Sequence, residues 1–509
     1  MLRKIRIILA VLCFAGITLL FCDFTGATHA YLGWLAKVQL LPAILAGNAA
    51  IIAALLLLTL IFGRVYCSVI CPLGVMQDIF AWAGRRGKKK NRYKYSWSPA
   101  KNVLRLVMLI VMIASIVLGI SALTALLAPY SAYGRIASQF LAPVYALANN
   151  LLAGWAEKRA SYAFYPTEVW GKALGTVVVA AVTLVALAVL AWKNGRTYCN
   201  TICPVGTVLG LLSQFAMLRP VIDRSKCTGC RLCEKGCKAS CINIKKMTID
   251  RSRCVACFDC ISNCRQGAIS YKFCWGRKKA AADAAAKETG AAKASDSPAS
   301  QGRRAFLAGT AMLASTAALH AQSDKRPRQD ALTLAAKNNP APATRITPPG
   351  SISLRNMHSR CIACQLCVQA CPCGVLVPSM APERFMQPEM RYNETYCRPE
   401  CNACSSVCPA GAIRPITLEE KSSTQIGHAE WHSELCIPVT VGDKCNNCAR
   451  HCPAGAITMV DYTVSEGVTV QVPSVDRSRC IGCGACQALC PARPESAIRV
   501  EGHEVHKLI

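Results

Sequence analysis

Four long apolar stretches punctuate the first part of the chain: Ile7–Cys22, Val38–Gly63, Leu106–Tyr130 and Ala173–Trp192. A helix needs roughly 20 apolar residues to cross the hydrocarbon of a bilayer, so the pattern predicts four transmembrane helices. The first stretch is short, but Arg3, Lys4 and Arg6 can snorkel and lengthen it. Beyond Trp192 the chain turns polar and rich in cysteine.

Charge then sets the orientation. The loop between the second and third stretches holds Arg64, Arg85, Arg86, Lys88, Lys89, Lys90, Arg92, Lys94 and Lys101, whereas the first outer loop offers only Lys37. Positively charged loops stay inside. The chain start and the basic loop are therefore expected in the cytoplasm, the loop from about 131 to 170 outside, and the chain after Trp192 inside again. The net charge of +30 follows from these flanks, so nucleic acid is not an expected partner.

A fifth stretch differs in kind. Gly302-Arg303-Arg304-Ala305-Phe306-Leu307 leads into an Ala-rich segment ending near Ala321. This resembles a twin-arginine export signal, and the other reading is a fifth, basic-flanked signal-anchor helix. Either one sends the residues after about 322 outside. The expected organisation is a four-helix membrane core over 1–218, a cytoplasmic ferredoxin over 219–275, a linker over 276–300, the signal-like segment over 301–323, a Pro-rich linker over 324–350 and an exported domain over 351–509.

The 33 cysteines fall mostly in six closely spaced runs, unlike the spread-out cysteines of a disulfide scaffold. Thiolates three residues apart on a tight loop can turn inward on one cubane, and Cys-x2-Cys-x2-Cys-x3-Cys-Pro is the bacterial form of that arrangement. The first two runs are Cys227, Cys230, Cys233, Cys237 and Cys254, Cys257, Cys260, Cys264. They make a compact two-cluster ferredoxin of the α+β class. In that fold the last cysteine of each run serves the other cluster, so Cys264 is expected with the first three and Cys237 with the second three. Lys238 and Arg265 stand where proline usually follows, and Cys241 is a further candidate beside Cys237.

The later domain carries Cys361, Cys364, Cys367, Cys371; Cys397, Cys401, Cys404, Cys408; Cys436, Cys445, Cys448, Cys452; and Cys480, Cys483, Cys486, Cys490, each run followed by proline. The expectation is a four-cluster α+β polyferredoxin, and six 4Fe–4S clusters in all. By resemblance to four-cluster electron-transfer subunits, the second and third of these runs are expected to pair in space, and the first with the fourth.

An internal repeat lies at the membrane surface. Gly63-Arg64-Val65-Tyr66-Cys67-x3-Cys71-Pro72-Leu73-Gly74 follows the second apolar stretch, and Gly195-Arg196-Thr197-Tyr198-Cys199-x3-Cys203-Pro204-Val205-Gly206 follows the fourth. A constant offset points to duplication of a helix pair. Cysteines four apart share one face of a helical turn, so two such turns about a pseudo-two-fold axis would aim Cys67, Cys71, Cys199 and Cys203 at a common centre, a seventh metal site. The alternative is that these cysteines only brace a turn that the prolines end.

Several chemistries have no residues to carry them. No Cys-x-x-Cys-His occurs for a c-type haem, and only His29 and His320 lie near the apolar stretches, too few for a bis-histidine haem. Neither a phosphate-binding loop nor a dinucleotide fingerprint is present. The chain is expected to relay electrons without being the terminal reductase.

Residues 1–275, with four helices, two Cys-x3-Cys-Pro motifs and a two-cluster ferredoxin, resemble NapH, a membrane component of periplasmic nitrate reductase systems. From Arg303 onward, the twin arginines, Thr347-Pro348-Pro349-Gly350 and the four runs resemble NapG, its exported partner, so the chain resembles the two joined end to end. The resemblance implies a quinol dehydrogenase of the bacterial inner membrane that draws on the quinone pool and feeds a periplasmic acceptor, such as a cytochrome c or a molybdenum reductase. The NosR and CcoG maturation proteins share the Cys-x3-Cys-Pro core and supply a second reading, and a third is electron flow outward from a cytoplasmic donor. Quinol oxidation needs an ionisable group near a cluster. Asp78 is the candidate, weighed against a plain salt bridge to Arg85 or Arg86; Asp23, Tyr66 and Tyr198 are weaker ones.

Overall fold

The computed structural model describes residues 1–23, 26–85, 95–159, 161, 164, 166, 174–274, 336–465 and 468–509. The signal-like segment at 301–323, the linker at 276–300 and most of the basic loop lie outside the described residues.

The apolar stretches become helices, with two corrections. Leu2–Cys22 (α1) is unbroken. The second stretch splits into a short helix over Leu40–Ala46 and Ala49–Phe62 (α2). The break falls at Gly47, whose left-handed backbone (φ 70°) ends the first piece, while the Asn48 side chain accepts from the Ile51 N–H and starts the next. Pro72–Ala83 (α3) follows the first Cys-x3-Cys motif. The third stretch splits likewise, into Asn102–Val117 (α4) and a short helix over Ser121–Leu127. After it come Pro129–Ile136 (α5), Leu174–Asn194 (α6) and Pro204–Ser213 (α7). Among the described residues α1 and α6 are long and apolar enough to cross a membrane. Most of their surface is not buried by protein, which supports membrane association.

Strands are few and paired. Leu218–Ile222 (β1) lies antiparallel to Ile269–Phe273 (β2), with Leu218 opposite Phe273, and this ribbon ties together the two ends of the first ferredoxin. Later, Thr424–Trp431 (β3) pairs with the last strand, and Ile457–Ser465 (β4) forms a hairpin with Val468–Val475 (β5). The last strand is Ile498–Leu508 (β6). All sheets among the described residues are two-stranded. The fold is thus mixed, with helices in the apolar part and small antiparallel ribbons around the cysteine runs.

The chain divides into two compact units. The first is Met1–Phe14, Ile52–Ile110 and Ala181–Lys325; the second is Ala15–Ile51, Val111–Ala180 and Arg326–Ile509. Each therefore joins parts of the apolar helices to one of the two ferredoxin regions.

Candidate functional site

The six cysteine runs are shaped by their own backbone. In four of them the residues two and four positions after the first cysteine have positive φ: Gly229 and Arg231, Ala256 and Phe258, Ala363 and Gln365, Gly482 and Gly484. Alternating right- and left-handed residues form a nest whose N–H groups converge on an anion. Cys361 accepts from the Ala363 N–H at 3.4 Å, and Cys264 and Cys452 accept from Ala268 and Ala456 at 3.3 Å each. In the two runs with a widened first interval, Asn402 and Asn446 instead precede the short helix that carries the third cysteine.

Electrostatic neighbours show which thiols gather. Cys233 feels Cys230 and Cys264, while Cys260 feels Cys257, Cys254 and Cys237, so the last cysteines are exchanged as expected for a two-cluster ferredoxin. In the later domain, Cys367 feels Cys364, Cys361 and Cys408, and Cys404 feels Cys397 and Cys371. Cys448 feels Cys445, Cys490 and Cys436, and Cys486 feels Cys483 and Cys480 and, from the third run, Cys448 and Cys452. The first run therefore pairs with the second and the third with the fourth. This corrects the expected pairing of second with third and first with fourth. The reason is local: consecutive runs are joined closely enough to swap their last cysteines, as in the smaller ferredoxin. The two pairs meet where the Cys397 N–H donates to the Cys483 carbonyl at 3.0 Å, next to the buried ring of Tyr392.

These thiols fit iron–sulfur clusters. They sit in sets of four in apolar surroundings, with backbone donors on the sulfurs, which is how a cubane's thiolates are held. Burial pushes the Cys361 and Cys257 thiols up to about 12, and a bound metal core would supply the positive charge that favours their thiolates. Among the described residues no three or more His, Cys, Asp and Glu are close enough to hold a single ion. A cubane places its four ligands on four separate irons. Cys241 lies 3.6 Å from Cys237, and its hydrogen bond draws the Cys237 thiol down to about 7. It adjoins Cys254 as well.

The repeat brings its parts together as well. Cys71 and Cys203 each close one short helical turn and cap the next helix, with Pro72 and Pro204 in the first turn. Cys203 feels Cys199, Cys71 and Cys67, so all four thiols converge. Burial raises the Cys71 and Cys203 thiols above their ordinary range. Arg64 and Arg196 are fully buried and cross between the repeats: Arg64 donates to the Cys199 carbonyl at 3.1 Å and Arg196 to the Cys67 carbonyl at 2.7 Å. Glycine is required beside them, because a methyl on Gly74 or Gly206 would collide with those same two carbonyls.

Asp78 belongs to this assembly; of the alternative partners, Arg86 lies outside the described residues and no ion pair to Arg85 is found among the described ones. One carboxylate oxygen accepts from Arg196 at 2.6 Å; the other meets Arg6 and Lys238, both at 2.8 Å. Burial alone would raise its pKa, but Arg196, Lys238 and Arg6 outweigh burial and hold the carboxyl well below its usual range. It is a fixed anion, a poor acceptor for a quinol proton. Lys238 reaches Asp259 too, at 3.4 Å, and Asp259 accepts from Arg3 at 2.9 Å. The missing proline after Cys237 is thus replaced by an ion-pairing lysine, whose carbonyl also accepts the Arg196 N–H. Sequence reasoning passed over Arg6, Arg196, Lys238 and Asp259 as site residues. The one signal was that both repeats have arginine three residues before their first cysteine. Of the weaker candidates, Tyr66 is buried, Tyr198 is half-buried, and Asp23 accepts from the backbone N–H groups of Gly26 and His29.

Comparison with known proteins agrees with this chemistry. Residues 46–91 and 175–221, which hold the two repeats, match a 4Fe-4S binding domain family, and 443–493 match a 4Fe-4S dicluster domain family. The dicluster match covers much of the third run and all of the fourth, in keeping with their pairing. The methylamine utilization ferredoxin-type protein MauM of Methylobacillus flagellatus is 32% identical over 174 residues, 33% of this chain and 74% of that protein. MauM of Methylophilus methylotrophus is 33% identical over 177 residues, 32% of this chain and 73% of its own length. MauN of Paracoccus denitrificans is 26% identical over 215 residues, 41% of this chain and 57% of that protein. No solved structure matches the chain. With thiols gathered in fours and this similarity, the chain is a 4Fe–4S electron-transfer protein that belongs to the ferredoxin-type family of MauM.

Proposed function

We propose that the protein is an inner-membrane quinol dehydrogenase subunit that relays electrons through six 4Fe–4S clusters to a periplasmic acceptor. The observation that carries this reading is the seat of the Cys361 run in the second unit. Ser131 on α5 donates to the Ile362 carbonyl at 2.5 Å and to the Ala363 carbonyl at 3.2 Å. Ser138 and Gln139, in a π turn after α5, both donate to the Gln365 side chain at 3.1 Å. A side chain on Gly134 would strike the Cys364 carbonyl. The first thiol set of the later domain thus rests on the segment that follows the third apolar stretch, where a lipid-soluble donor can approach. When bound, the clusters supply one-electron transfer.

The chain's own residues would handle the proton. His29 follows α1, with its ring hydrogen-bonded to the Leu20 carbonyl and its buried Nε2 without a partner in the described structure. A neutral imidazole fixed in one tautomer presents an open lone pair. Phe21, next to Leu20, packs at 5.9 Å from Tyr130, and Tyr130 lies beside Cys364 and Cys408. His29, with Asp23 behind it, replaces Asp78 as the proposed proton acceptor.

Anaerobically purified protein, given menaquinol or ubiquinol, is expected to show cluster reduction by EPR, and His29→Gln is expected to slow it by about 100-fold. If neither quinol reduces clusters that dithionite can reduce, the reading fails. The acceptor is assigned by class only. Resemblance to NapH and NapG favours a nitrate reductase-like system, and similarity to proteins named for methylamine utilization favours one that serves methylamine utilization.

A further inference from the structure

The second run of the later domain lacks the device that shapes four of the others. Among the described residues from Cys397 to Cys408 none has a positive φ, so no alternating nest forms there. The Arg398 and Cys401 carbonyls are met by a side chain instead. Both accept from the Lys421 ammonium, which also bonds to the Cys397 sulfur. A lysine thus stands where a backbone N–H serves the run from Cys361 to Cys367.

Its own segment places that lysine. Lys421 lies on a short helix over Leu418–Ser423 that opens with a reciprocal cap: the Glu420 N–H donates to the Thr417 hydroxyl at 3.1 Å, and the Thr417 N–H to the Glu420 carboxylate at 2.9 Å. The Asn402 amide, inside the cysteine run, donates to the Ile416 carbonyl at 2.8 Å and ties the run to the start of this helix. With Glu420 engaged in the cap, Lys421 is buried on two carbonyls and forms no ion pair with a carboxylate among the described residues.

Charge gives a second, independent observation. A buried cation is costly unless an anion offsets it. Burial pushes the Cys397 thiol up to about 11 while Lys421 draws against it, and Lys421 acts on Cys404 as well. Both belong to the set that gathers Cys371, Cys397, Cys401 and Cys404. A dipositive cubane core held by four thiolates is a dianion, and one added electron makes it a trianion. A fixed ammonium on a ligating sulfur therefore favours the reduced form. Arg398 and Arg345 also act on this pair of runs, but in other ways. Arg398 is exposed and acts on Cys373, outside both sets of four. Arg345 acts on Cys361, yet its guanidinium donates to the Gln387 side chain at 3.2 Å and the Glu389 carboxylate lies nearby.

We propose that Lys421 is the counter-cation of the cluster held by Cys371, Cys397, Cys401 and Cys404, and raises its reduction potential above that of the paired cluster held by Cys361, Cys364, Cys367 and Cys408. The two sets are alike in their thiols and unlike in their donors. An electron that leaves the Cys361 set, which is thereby oxidised, reduces the Cys397 set and rests there; no bond is made or broken. This order of potentials holds whichever donor the protein serves.

The test uses the full chain in detergent, purified without oxygen and titrated with dithionite and mediator dyes under EPR. Lys421→Gln keeps an N–H donor for the carbonyls and removes the charge. It is expected to keep its iron and to lower the midpoint of one signal by about 59 mV or more, a tenfold change in that one-electron equilibrium, with the other signals in place. Lys421→Arg is expected to restore the midpoint. A Gln variant with full iron and no displaced signal overturns the proposal, and so does an Arg variant displaced as far as Gln, since the lysine would then be only a tether. Should Lys421→Gln lose iron, Lys421→Met fills the same stem and carries the same expectation. Should both lose it, the unaltered chain decides: one coupled pair of signals is expected to titrate about tenfold apart, and pairs that all titrate together overturn the proposal. No quinol enters these measurements, so a failed quinol assay counts against the proposed function alone.

Discussion

The ferredoxin runs and the Cys-x3-Cys repeat gather thiols by opposite means. In a run such as Cys361 to Cys367, the donors on the sulfurs are backbone N–H groups of the same loop, turned inward by residues of positive φ only two positions apart. In the repeat the sulfurs are aligned by helical turns; Arg64 and Arg196 each stand three residues before the cysteine whose sulfur they approach but anchor on the backbone carbonyl of the other repeat, and Arg6 and Lys238 join the assembly from distant segments through Asp78. The first device is local and tolerates change in its surroundings. The second is a tertiary assembly in which every part depends on the others.

That contrast can be broken most forcefully at Asp78. Asp78→Asn leaves three buried cations facing a neutral amide, and removing one partner of a buried pair costs about 3–5 kcal/mol. Thermal unfolding in detergent should show the loss, and an unchanged transition would mean that the ion cluster is not formed. A methyl group is the next lever. Gly74→Ala would press on the Cys67 carbonyl and the Arg196 guanidinium, backbone and buried side chain that cannot yield, at a cost of about 3 kcal/mol.

Acid should separate the two units. His506 in the second unit is pushed down to about 4 by burial and by the nearby His503, and its Nε2 lies 3.0 Å from the Thr347 hydroxyl. With its folded value below that of the unfolded chain, the unfolded state binds more protons between about pH 6.5 and 4, and stability falls as pH falls through that window. A loss on the order of 2 kcal/mol is expected, absent in His506→Phe. Asp78 and Asp259, both held below the usual carboxylate range, keep their charge throughout that window, so the first unit should respond less. Differential hydrogen exchange at pH 7 and pH 4.5 would measure the difference.

The smallest effect belongs to a ferredoxin loop. A side chain on Gly229 meets nothing within 4 Å, so Gly229→Ala pays only for its left-handed backbone (φ 69°), about 1 kcal/mol. If it cost as much as Gly74→Ala, the distinction between local and tertiary sites would disappear.

The sequence by itself determined the apolar helices, the six thiol runs, the exchange of Cys237 and Cys264 and the duplication of the Cys-x3-Cys turn. Each of these follows from residue type and short spacing, since periodicity and loop chemistry act within a few positions. Only the tertiary structure decided the rest. It interrupted the second and third apolar stretches at Gly47 and Gly119, paired the later runs in consecutive couples, and gave Lys238 a role that its place in a ferredoxin pattern did not suggest. It also joined Asp78 to Arg6 and Arg196, residues 72 and 118 positions away. Electrostatic partnerships at that range leave no period in the sequence, because what selects them is the cost of burying charge, and that cost exists only once the chain has closed around it.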